Sequence, residues 1–269
     1  ISDKLRLLIT ALNLKMFFSV DRSGQSLSDI AEWTNYIEHR LVGVVPLWIP
    51  TPTHLRVNRY LREMRKEFRA FLEERSQNVE AHQDLLTTLF KAKHPETEES
   101  WTIDDMIDEA FSVYFGASVM AVSLSWACAL LAQDKSYQST LRKACITAKA
   151  SGNLEDITNS PELSDFINEA LRIYPASWGY PRYCKDGMDL AGIKVPAGSI
   201  VIPMIEETQQ TKTIWDNPEK MCPARFSSKD KPIENGAHLP FGLGARTCLG
   251  PHLAPMVLKI LICEPLSKF

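Results

Sequence analysis

One cysteine lies in a glycine-bearing loop near the end of the chain, and it is the residue best suited to do chemistry. Cys248 follows Gly244 and Arg246, precedes Gly250, and leads into an apolar, helix-like run at 253–263. Backbone N–H groups of a tight loop and the positive end of a following helix keep a thiol deprotonated. Glycine takes positive φ and lets the backbone approach the sulfur, while arginine keeps its charge and grips carboxylates. The segment predicts a single thiolate held beneath a metal.

The ligand set indicates which metal this thiolate would hold. Cys248 has no local CxxC partner and no histidine at zinc-ligand spacing, which argues against zinc. An axial cysteine on haem iron remains as a possibility. Such a ligand pushes electron density toward the iron and favours O–O cleavage. The alternative of a glycine-rich turn before a helix, with a buried structural cysteine, stays open at this point.

The ten residues at 241–250, FGLGARTCLG, match every fixed position of the pattern F-x-x-G-x-R-x-C-x-G. They therefore resemble the haem-binding loop of the cytochrome P450 family. The resemblance implies haem b as cofactor and Cys248 as the proximal iron ligand. It also implies that Phe241 shields the sulfur and that Arg246 holds haem propionates. Arg182 aligns with a basic residue that holds a propionate in many members, and a surface arginine at a strand edge is the alternative for it. The residues assigned to the haem are Cys248, Arg246, Phe241, Gly242, Gly250 and Arg182.

Two further motifs stand in the order that this family has. Glu169 and Arg172 form an E-x-x-R pair, whose spacing places both side chains on one face of a helix. Arg225 lies in CPARF at 222–226, which resembles the family's P-E-R-F segment, with Ala224 where Glu is usual. The resemblance implies a structural cluster of Glu169, Arg172 and Arg225. Taken alone, the pair on the helix would be an ordinary surface ion pair.

The longest apolar stretch, 102–133, predicts a central helix that is buried on nearly all sides. Thr102 and Asp105 resemble a capping box at its start. In the family, the long helix over the haem carries an acid followed by a threonine, and the best register here is 115–120. The residues that the resemblance places on the distal side of the haem are Gly116, Ala117, Ser118 and Val119.

This register departs from the family at the two positions that matter for proton delivery. Ser118 stands in place of the acid and Val119 in place of the threonine. The acid–alcohol pair orders water and delivers protons, so that the O–O bond breaks heterolytically. Valine cannot do this. Either Ser118, a bound water or a substrate hydroxyl substitutes, or oxygen activation is poor, or the enzyme uses peroxide, or its chemistry is not oxygenation.

The resemblance implies an enzyme of the monooxygenase type, which inserts one oxygen atom from O₂ into a lipophilic small molecule. Its electrons would come from a separate partner, a ferredoxin or a flavoprotein reductase, because no G-x-G-x-x-G signature occurs in a βαβ context. Two alternatives remain open. One is a peroxide-using or rearranging haem-thiolate enzyme, and the other is a degenerate, non-catalytic haem-binding protein.

The hydrophobic periodicity, with the family resemblance, predicts a mainly α protein: a cytochrome P450-like α-helical fold with a small β-sheet region. Ser26 and Ser160 are the expected N-caps of two helices. Short strands joined by Gly and Pro turns are expected within 178–204, a polar joint at 153–159, and a kink at Pro255. Helices are expected over 4–18, 27–44, 53–74, 84–93, 102–133, 161–173 and 253–263.

Composition and length bound these interpretations. The 269 residues are 45% hydrophobic and 23% charged, which is enough for a core, and the net charge of −3 argues against nucleic acid. Six cysteines without a paired framework indicate a reducing, cytoplasmic compartment. No apolar run approaches the ~20 residues of a membrane span, so no transmembrane segment is expected in this chain.

Family members are normally much longer than this chain. Residues 1–269 are therefore expected to form a single haem-thiolate domain that is incomplete at both ends, and a membrane anchor could lie in the missing N-terminal part. Irregular chain is expected at the proline-rich stretch 45–52 and at the polar meander 229–235.

Overall fold

The computed structural model describes residues 2–41, 49–94, 97–227 and 236–269. Its chain divides into two compact units, Ile1–Ala121 and Val122–Phe269. The meander expected at 229–235 and half of the connector expected at 45–52, residues 45–48, lie outside the described residues.

The first unit is mainly helical, as the periodicity predicts. Its helices are α1 Ser2–Phe18, α2 Gly24–Leu41, α3 Pro52–Arg75, a 3₁₀ helix Ser76–Ala81, α4 Leu85–Lys91, α5 Ile103–Ser118 and the start of α6 Met120–Gln133. The side chains of Thr51 and Asp84 cap α3 and α4. The N-cap prediction for Ser26 is wrong, because α2 begins two residues earlier at Gly24.

A capping box starts α5, as predicted. The N–H of Asp105 donates to Thr102 Oγ1 at 3.2 Å, and the N–H of Thr102 donates to Asp105 Oδ2 at 3.0 Å. Two N–H groups that the first turn leaves without helical partners are thereby satisfied.

The core of the first unit forms where α1 packs against α2, α4 and α5. The ring of Phe18 meets that of Phe68 edge-on at 5.3 Å, and the hydroxyls of Thr34 and Tyr114 lie 3.0 Å apart. Tyr114 belongs to α5, so these contacts fix the helix that carries the Gly116 register.

The long helical stretch is interrupted and less buried than predicted. A turn at Val119 separates α5 from α6, and Val119 and Trp126 are 38% and 42% exposed. Taken together, Ile103–Gln133 is nevertheless long and apolar enough to cross a membrane by length and composition, with 44% of its most apolar window buried. The expectation that no run approaches this length is therefore wrong. A core helix of a soluble protein meets the same criterion, so the finding is weak evidence for a span.

The second unit combines helices with short strands. Its remaining helices are α7 Lys135–Lys149, α8 Leu154–Thr158, α9 Pro161–Ile173, α10 Ile205–Gln209, two 3₁₀ turns Pro223–Phe226 and Gly244–Arg246, and α11 Leu253–Lys268. Ser160 caps α9 as predicted. The polar joint at 153–159 is instead mostly the short helix α8, which Asn153 caps.

The second unit's helical core forms where α11 packs against α7, α8 and α9. Cys145 and Cys263 meet there, both fully buried, and burial raises the pKa of the Cys145 thiol to about 12. Pro255 falls in the first turn of α11, where its missing N–H would have no helical partner anyway, so the reason for expecting a kink does not apply. All six cysteines are free thiols.

Two antiparallel strand pairs supply the small β region that the sequence predicts. The strands are β1 Arg182–Tyr183, β2 Met188–Leu190, β3 Ile193–Val195 and β4 Ile200–Val201. Arg182 of β1 pairs with Val201 of β4, and Asp189 of β2 pairs with Lys194 of β3. The mainly α class with a small sheet component is therefore confirmed.

Candidate functional site

The loop that carries Cys248 is closed by its own backbone. The Cys248 N–H donates to the Phe241 carbonyl at 2.9 Å, and the Thr247 N–H donates to the Gly244 carbonyl at 3.0 Å. Gly242 and Gly244 have φ of +73° and +81°, a region that favours glycine. Gly250, which the sequence also makes a candidate for positive φ, is not in that region.

The sulfur of Cys248 is accessible and accepts a backbone hydrogen bond. The Gly250 N–H donates to Sγ at 3.2 Å, and the cysteine is exposed. Cysteine ligates metals as the thiolate, and a backbone donor at this distance can hydrogen-bond to a thiolate that is bound to a metal. Because Cys248 is exposed, it is not the buried structural cysteine that the sequence leaves open as an alternative.

The remaining loop residues surround the sulfur with charge and apolar surface. Arg246 lies exposed in the 3₁₀ turn two residues before Cys248, and Phe241 is half-buried. Leu243 and Leu249 are 73% and 91% exposed. An open loop with one sulfur, one guanidinium and flanking apolar side chains fits a flat, mainly apolar ligand that bears carboxylates.

Arg182, the second predicted propionate ligand, lies exposed on β1, where its Nη1 donates to the Pro181 carbonyl at 3.0 Å. Tyr180, two residues earlier, reaches the Cys248 loop: its hydroxyl donates to the Pro240 carbonyl at 3.1 Å. The pKa of Tyr180 is raised, mainly by burial and further by the negative charge of Cys248. The β region and the loop therefore share one neighbourhood.

A buried ion pair on α9 lies behind this loop. Arg172 donates from Nε to Glu169 Oε2 at 2.8 Å and from Nη2 to Oε1 at 2.9 Å, and neither residue is exposed. The guanidinium also donates to the carbonyls of Gln209 and Pro218 at 2.8 and 2.7 Å. The Trp215 ring lies 5.0 Å from the guanidinium carbon. The burial excludes the ordinary surface pair that spacing alone allows.

Arg225 completes the predicted cluster from the 3₁₀ turn Pro223–Phe226. Its Nε donates to Glu169 Oε1 at 3.3 Å, and the Cys222 N–H donates to the same oxygen at 2.8 Å. Nη2 of Arg225 donates to the Asn217 carbonyl at 2.9 Å. The carboxylate thus has charged donors from two elements, and the cluster joins α9 to the segment that precedes the Cys248 loop.

Sequence reasoning missed Gln209, which has no exposed surface. Its Nε2 donates to the carbonyls of Leu171 and Arg172 at 3.1 Å each, and its Oε1 accepts the Leu239 N–H at 2.8 Å. These partners lie 30 or more residues away in sequence, so no local spacing could reveal them. The only signal was its place in the stretch 209–215 between the two arginine motifs.

His238 has a local structural role. Its Nε2 donates to the Asn168 carbonyl at 3.1 Å, so this nitrogen carries a hydrogen, and its ring packs edge-on against Phe226 at 4.9 Å. Burial, and after it the positive charge of Arg172, lowers the pKa of His238 to about 4. The Nε2 of this half-buried ring is engaged with a backbone carbonyl, which gives His238 a structural role.

The predicted distal residues lie at the end of α5, in the first unit. Gly116 and Val119 are exposed, and Ala117 is half-buried. Ser118 is buried, and its hydroxyl donates to the Phe115 carbonyl at 2.6 Å. The only hydroxyl in the register is therefore engaged with the backbone of its own helix.

The donor chemistry fits a thiolate-ligated haem better than a metal cluster. Among the described residues, no group of three or more His, Cys, Asp or Glu side chains could hold a metal ion. One accessible sulfur supplies a single protein ligand. This is enough for the iron of a haem, whereas a zinc site needs three or four protein ligands. Cys248 would hold the iron, and Arg246 and Arg182 are the exposed guanidiniums available for propionates.

Comparisons with known proteins agree with this reading. A family model described as Cytochrome P450 matches residues 16–269. Cyclooctat-9-en-7-ol 5-monooxygenase of Streptomyces melanosporofaciens is 28% identical over 225 residues, which are 82% of this chain and 49% of that protein. Cytochrome P450 3A31 of Mesocricetus auratus is 30% identical over 240 residues, 85% of this chain and 48% of that protein. The chain thus spans about half the length of the curated relatives it matches.

A solved structure of a retinoic acid-bound cyanobacterial protein, CYP120A1, superposes with a TM-score of 0.87 at 23% identity. The superposition covers 99% of this chain and 61% of CYP120A1. At 23% identity the likeness shows the fold alone. The family match extends over nearly the whole chain and includes the Cys248 loop and the Glu169 cluster. The chain therefore belongs to the cytochrome P450 family.

Proposed function

We propose that this chain carries the haem-thiolate centre of a monooxygenase that acts on a lipophilic small molecule. The observation that carries the proposal is the accessible Cys248 sulfur, which accepts the Gly250 N–H in a loop closed by Phe241. The overall reaction would be R–H + O₂ + 2 e⁻ + 2 H⁺ → R–OH + H₂O. When bound, haem b supplies the iron at which O₂ is reduced, and the thiolate favours O–O cleavage.

The chain's own groups would contribute positioning and charge. The Gly250 N–H would donate to the sulfur of an iron-bound thiolate, while Arg246 and Arg182 would offer guanidiniums to carboxylates. Glu169, with the buried Arg172 and the half-buried Arg225, would support the segment that leads to the loop. This arrangement places the ligand on a rigid support, which is what a site needs to hold its geometry.

Both electrons would come from a separate ferredoxin or flavoprotein reductase, as for the family in general. The relative from Streptomyces is named as a monooxygenase of cyclooctat-9-en-7-ol, an alcohol with a carbon ring. A terpenoid or a fatty acid is therefore a suitable first class of substrate. The exposed Leu243 and Leu249 of the Cys248 loop would offer apolar surface to the haem and carry no information on the substrate.

A second candidate is a peroxide-using enzyme, with the balance R–H + H₂O₂ → R–OH + H₂O. It is supported by the α5 register, where Val119 has no proton to give and the Ser118 hydroxyl donates to the Phe115 carbonyl. A catalyst that receives oxygen at the peroxide level needs no protons delivered for the reduction of O₂.

Turnover with two oxidant systems separates the candidates. The haem-loaded protein is incubated with dodecanoic acid or geraniol, either with ¹⁸O₂ and a surrogate reductase or with hydrogen peroxide. The monooxygenase proposal expects ¹⁸O in the product of the first reaction, and no such product in the Cys248→Ala variant. If product forms in the peroxide reaction and none forms in the reaction with ¹⁸O₂ and reductase, the second candidate is supported and the first is overturned.

A further inference from the structure

The four residues 239–242, here called the strap, lead directly into the Cys248 loop. They form a turn in which the Gly242 N–H donates to the Leu239 carbonyl at 3.0 Å, with Pro240 at the second position. The carbonyl of Phe241, the third residue of the strap, accepts the Cys248 N–H at 2.9 Å. The position of the strap therefore sets the position of the cysteine's own backbone.

Gln209 holds the strap from one side. Its Oε1 accepts the Leu239 N–H at 2.8 Å, while its Nε2 donates to the carbonyls of Leu171 and Arg172, both at the C-terminal end of α9. Its own carbonyl accepts from Arg172 Nη1 at 2.8 Å. The fully buried amide is therefore satisfied at both ends, and it links the helix of the Glu169 pair to the strap without a covalent connection.

Tyr180 holds the strap from the other side. Its hydroxyl donates to the Pro240 carbonyl at 3.1 Å. A Cβ on Gly242 would lie 3.5 Å from the Tyr180 ring, which places that ring in contact distance of the strap's last residue. The strap thus has side-chain partners at two successive residues, Leu239 and Pro240.

We propose that Gln209 is a positioning residue of the thiolate site, which transmits the rigidity of the Glu169–Arg172 pair to Cys248 through the strap. The inference rests on the proposed function in so far as Cys248 is the iron ligand. Without the Gln209 amide, the Leu239 N–H and two helix carbonyls would be buried without partners, a strongly unfavourable state. The strap would then move toward solvent, and the Cys248 N–H would lose its fixed acceptor.

Gln209→Met removes the amide and keeps an unbranched side chain of similar volume. Gln210→Met is the matched control, because Gln210 is the neighbouring residue of the same type and its amide donates to the Ile173 carbonyl at 3.1 Å. Amide hydrogen exchange of the full chain is measured for each protein. In Gln209→Met we expect the Leu239 and Cys248 amides to exchange at least about tenfold faster, as the loss of a buried hydrogen bond implies.

Mid-helix amides of α9, such as those of Phe166 and Ile167, report whether the variant is folded. Unchanged Leu239 exchange in a folded Gln209→Met protein, or the same acceleration in Gln210→Met, would overturn the proposal. If Gln209→Met does not fold, the wild-type protein decides: its Leu239 and Cys248 amides should be as well protected from exchange as the Phe166 and Ile167 amides of α9. Exchange of the Leu239 amide far faster than that of the α9 amides would overturn the proposal.

A spectroscopic arm tests the link to the ligand. In the carbon-monoxide difference spectrum of the reduced, haem-loaded protein, Gln209→Met should lose at least half of the thiolate-type band, and Gln210→Met should keep it. An intact band in Gln209→Met contradicts the positioning role. Should wild type itself give no thiolate band, the proposed function fails, whereas the exchange result still decides whether Gln209 holds the strap.

Discussion

Arg172 grips Glu169 through two hydrogen bonds of 2.8 and 2.9 Å, and neither side chain is exposed to solvent. A carboxylate in this position also accepts from Arg225 and from the Cys222 N–H. Both charges have been removed from water, so replacing only one partner leaves the other as an unpaired buried charge and strongly lowers stability. Replacing both by apolar residues of the same shape would cost much less.

The first prediction concerns that pair. Glu169→Gln keeps the shape but leaves Arg172 as a buried, uncompensated cation, so the free energy of unfolding should fall by about 3–5 kcal/mol. Urea denaturation measures it. Asp189→Asn is the control, because Asp189 pairs with Lys194 at 2.8 Å on the surface, and loss of a surface pair should change stability far less. Equal effects of the two substitutions would contradict the buried-pair account.

The second prediction follows from His238, whose pKa is lowered to about 4 by burial. An unfolded histidine titrates near 6.5, so between these values the unfolded state binds more protons than the folded state. Stability contributed by neutral His238 is therefore full above pH ~6.5 and is lost as the pH falls toward 4, by about 3 kcal/mol in all.

The measurement is the free energy of unfolding as a function of pH for wild type and for His238→Gln, which keeps a neutral donor for the Asn168 carbonyl. The variant should lose less stability than wild type between pH 6.5 and 4. His82→Gln, at an exposed histidine, is the control and should follow wild type. Parallel curves for wild type and His238→Gln would show that His238 does not remain neutral.

The third prediction contrasts glycines. Gly244 has φ of +81° with open space around a built Cβ, so Gly244→Ala should cost about 1–2 kcal/mol through backbone strain alone. Gly116 lies inside α5, also with open space, and Gly116→Ala should stabilise by about 0.5–1 kcal/mol. Thermal and urea unfolding of both variants give the signs. Two effects of the same sign would contradict the backbone assignments.

The fourth prediction concerns the missing alcohol in the α5 register. Val119→Thr restores a hydroxyl at the exposed turn between α5 and α6, and it should raise reductase-supported turnover by several-fold and up to about 100-fold. Peroxide-supported turnover should change much less. Val113→Thr makes the same substitution earlier on α5 and should leave both rates near wild type. No gain from Val119→Thr would contradict the assignment of this register to proton delivery.

The features that the sequence predicts well are those encoded by nearby residues. Thr102 with Asp105, Ser160 before Pro161, and Glu169 with Arg172 each act over two or three positions, so spacing is sufficient. The Cys248 loop is likewise one contiguous segment.

Other features depend on contacts between distant segments or on competing local signals. Gln209 acquires its role only when Leu171 and Leu239 come together, which no period in the sequence announces. The break at Val119 occurs within an apolar run that has no proline, so periodicity predicts one continuous helix. The helix α7 is absent from the helices expected from the sequence, although its N-cap is a local signal: the Asp134 carboxylate accepts the Tyr137 N–H at 2.9 Å.

The central claim is that Cys248 is the thiolate ligand of a haem iron, and a carbon-monoxide difference spectrum of the reduced, haem-loaded protein tests it most directly. The account predicts a thiolate-type Soret band in wild type and no such band in Cys248→Ala. Cys222→Ala is the control and should keep the band, because Cys222 contacts Glu169 through its backbone N–H, which the substitution retains. Absence of the band from wild type, or its persistence in Cys248→Ala, would contradict the account.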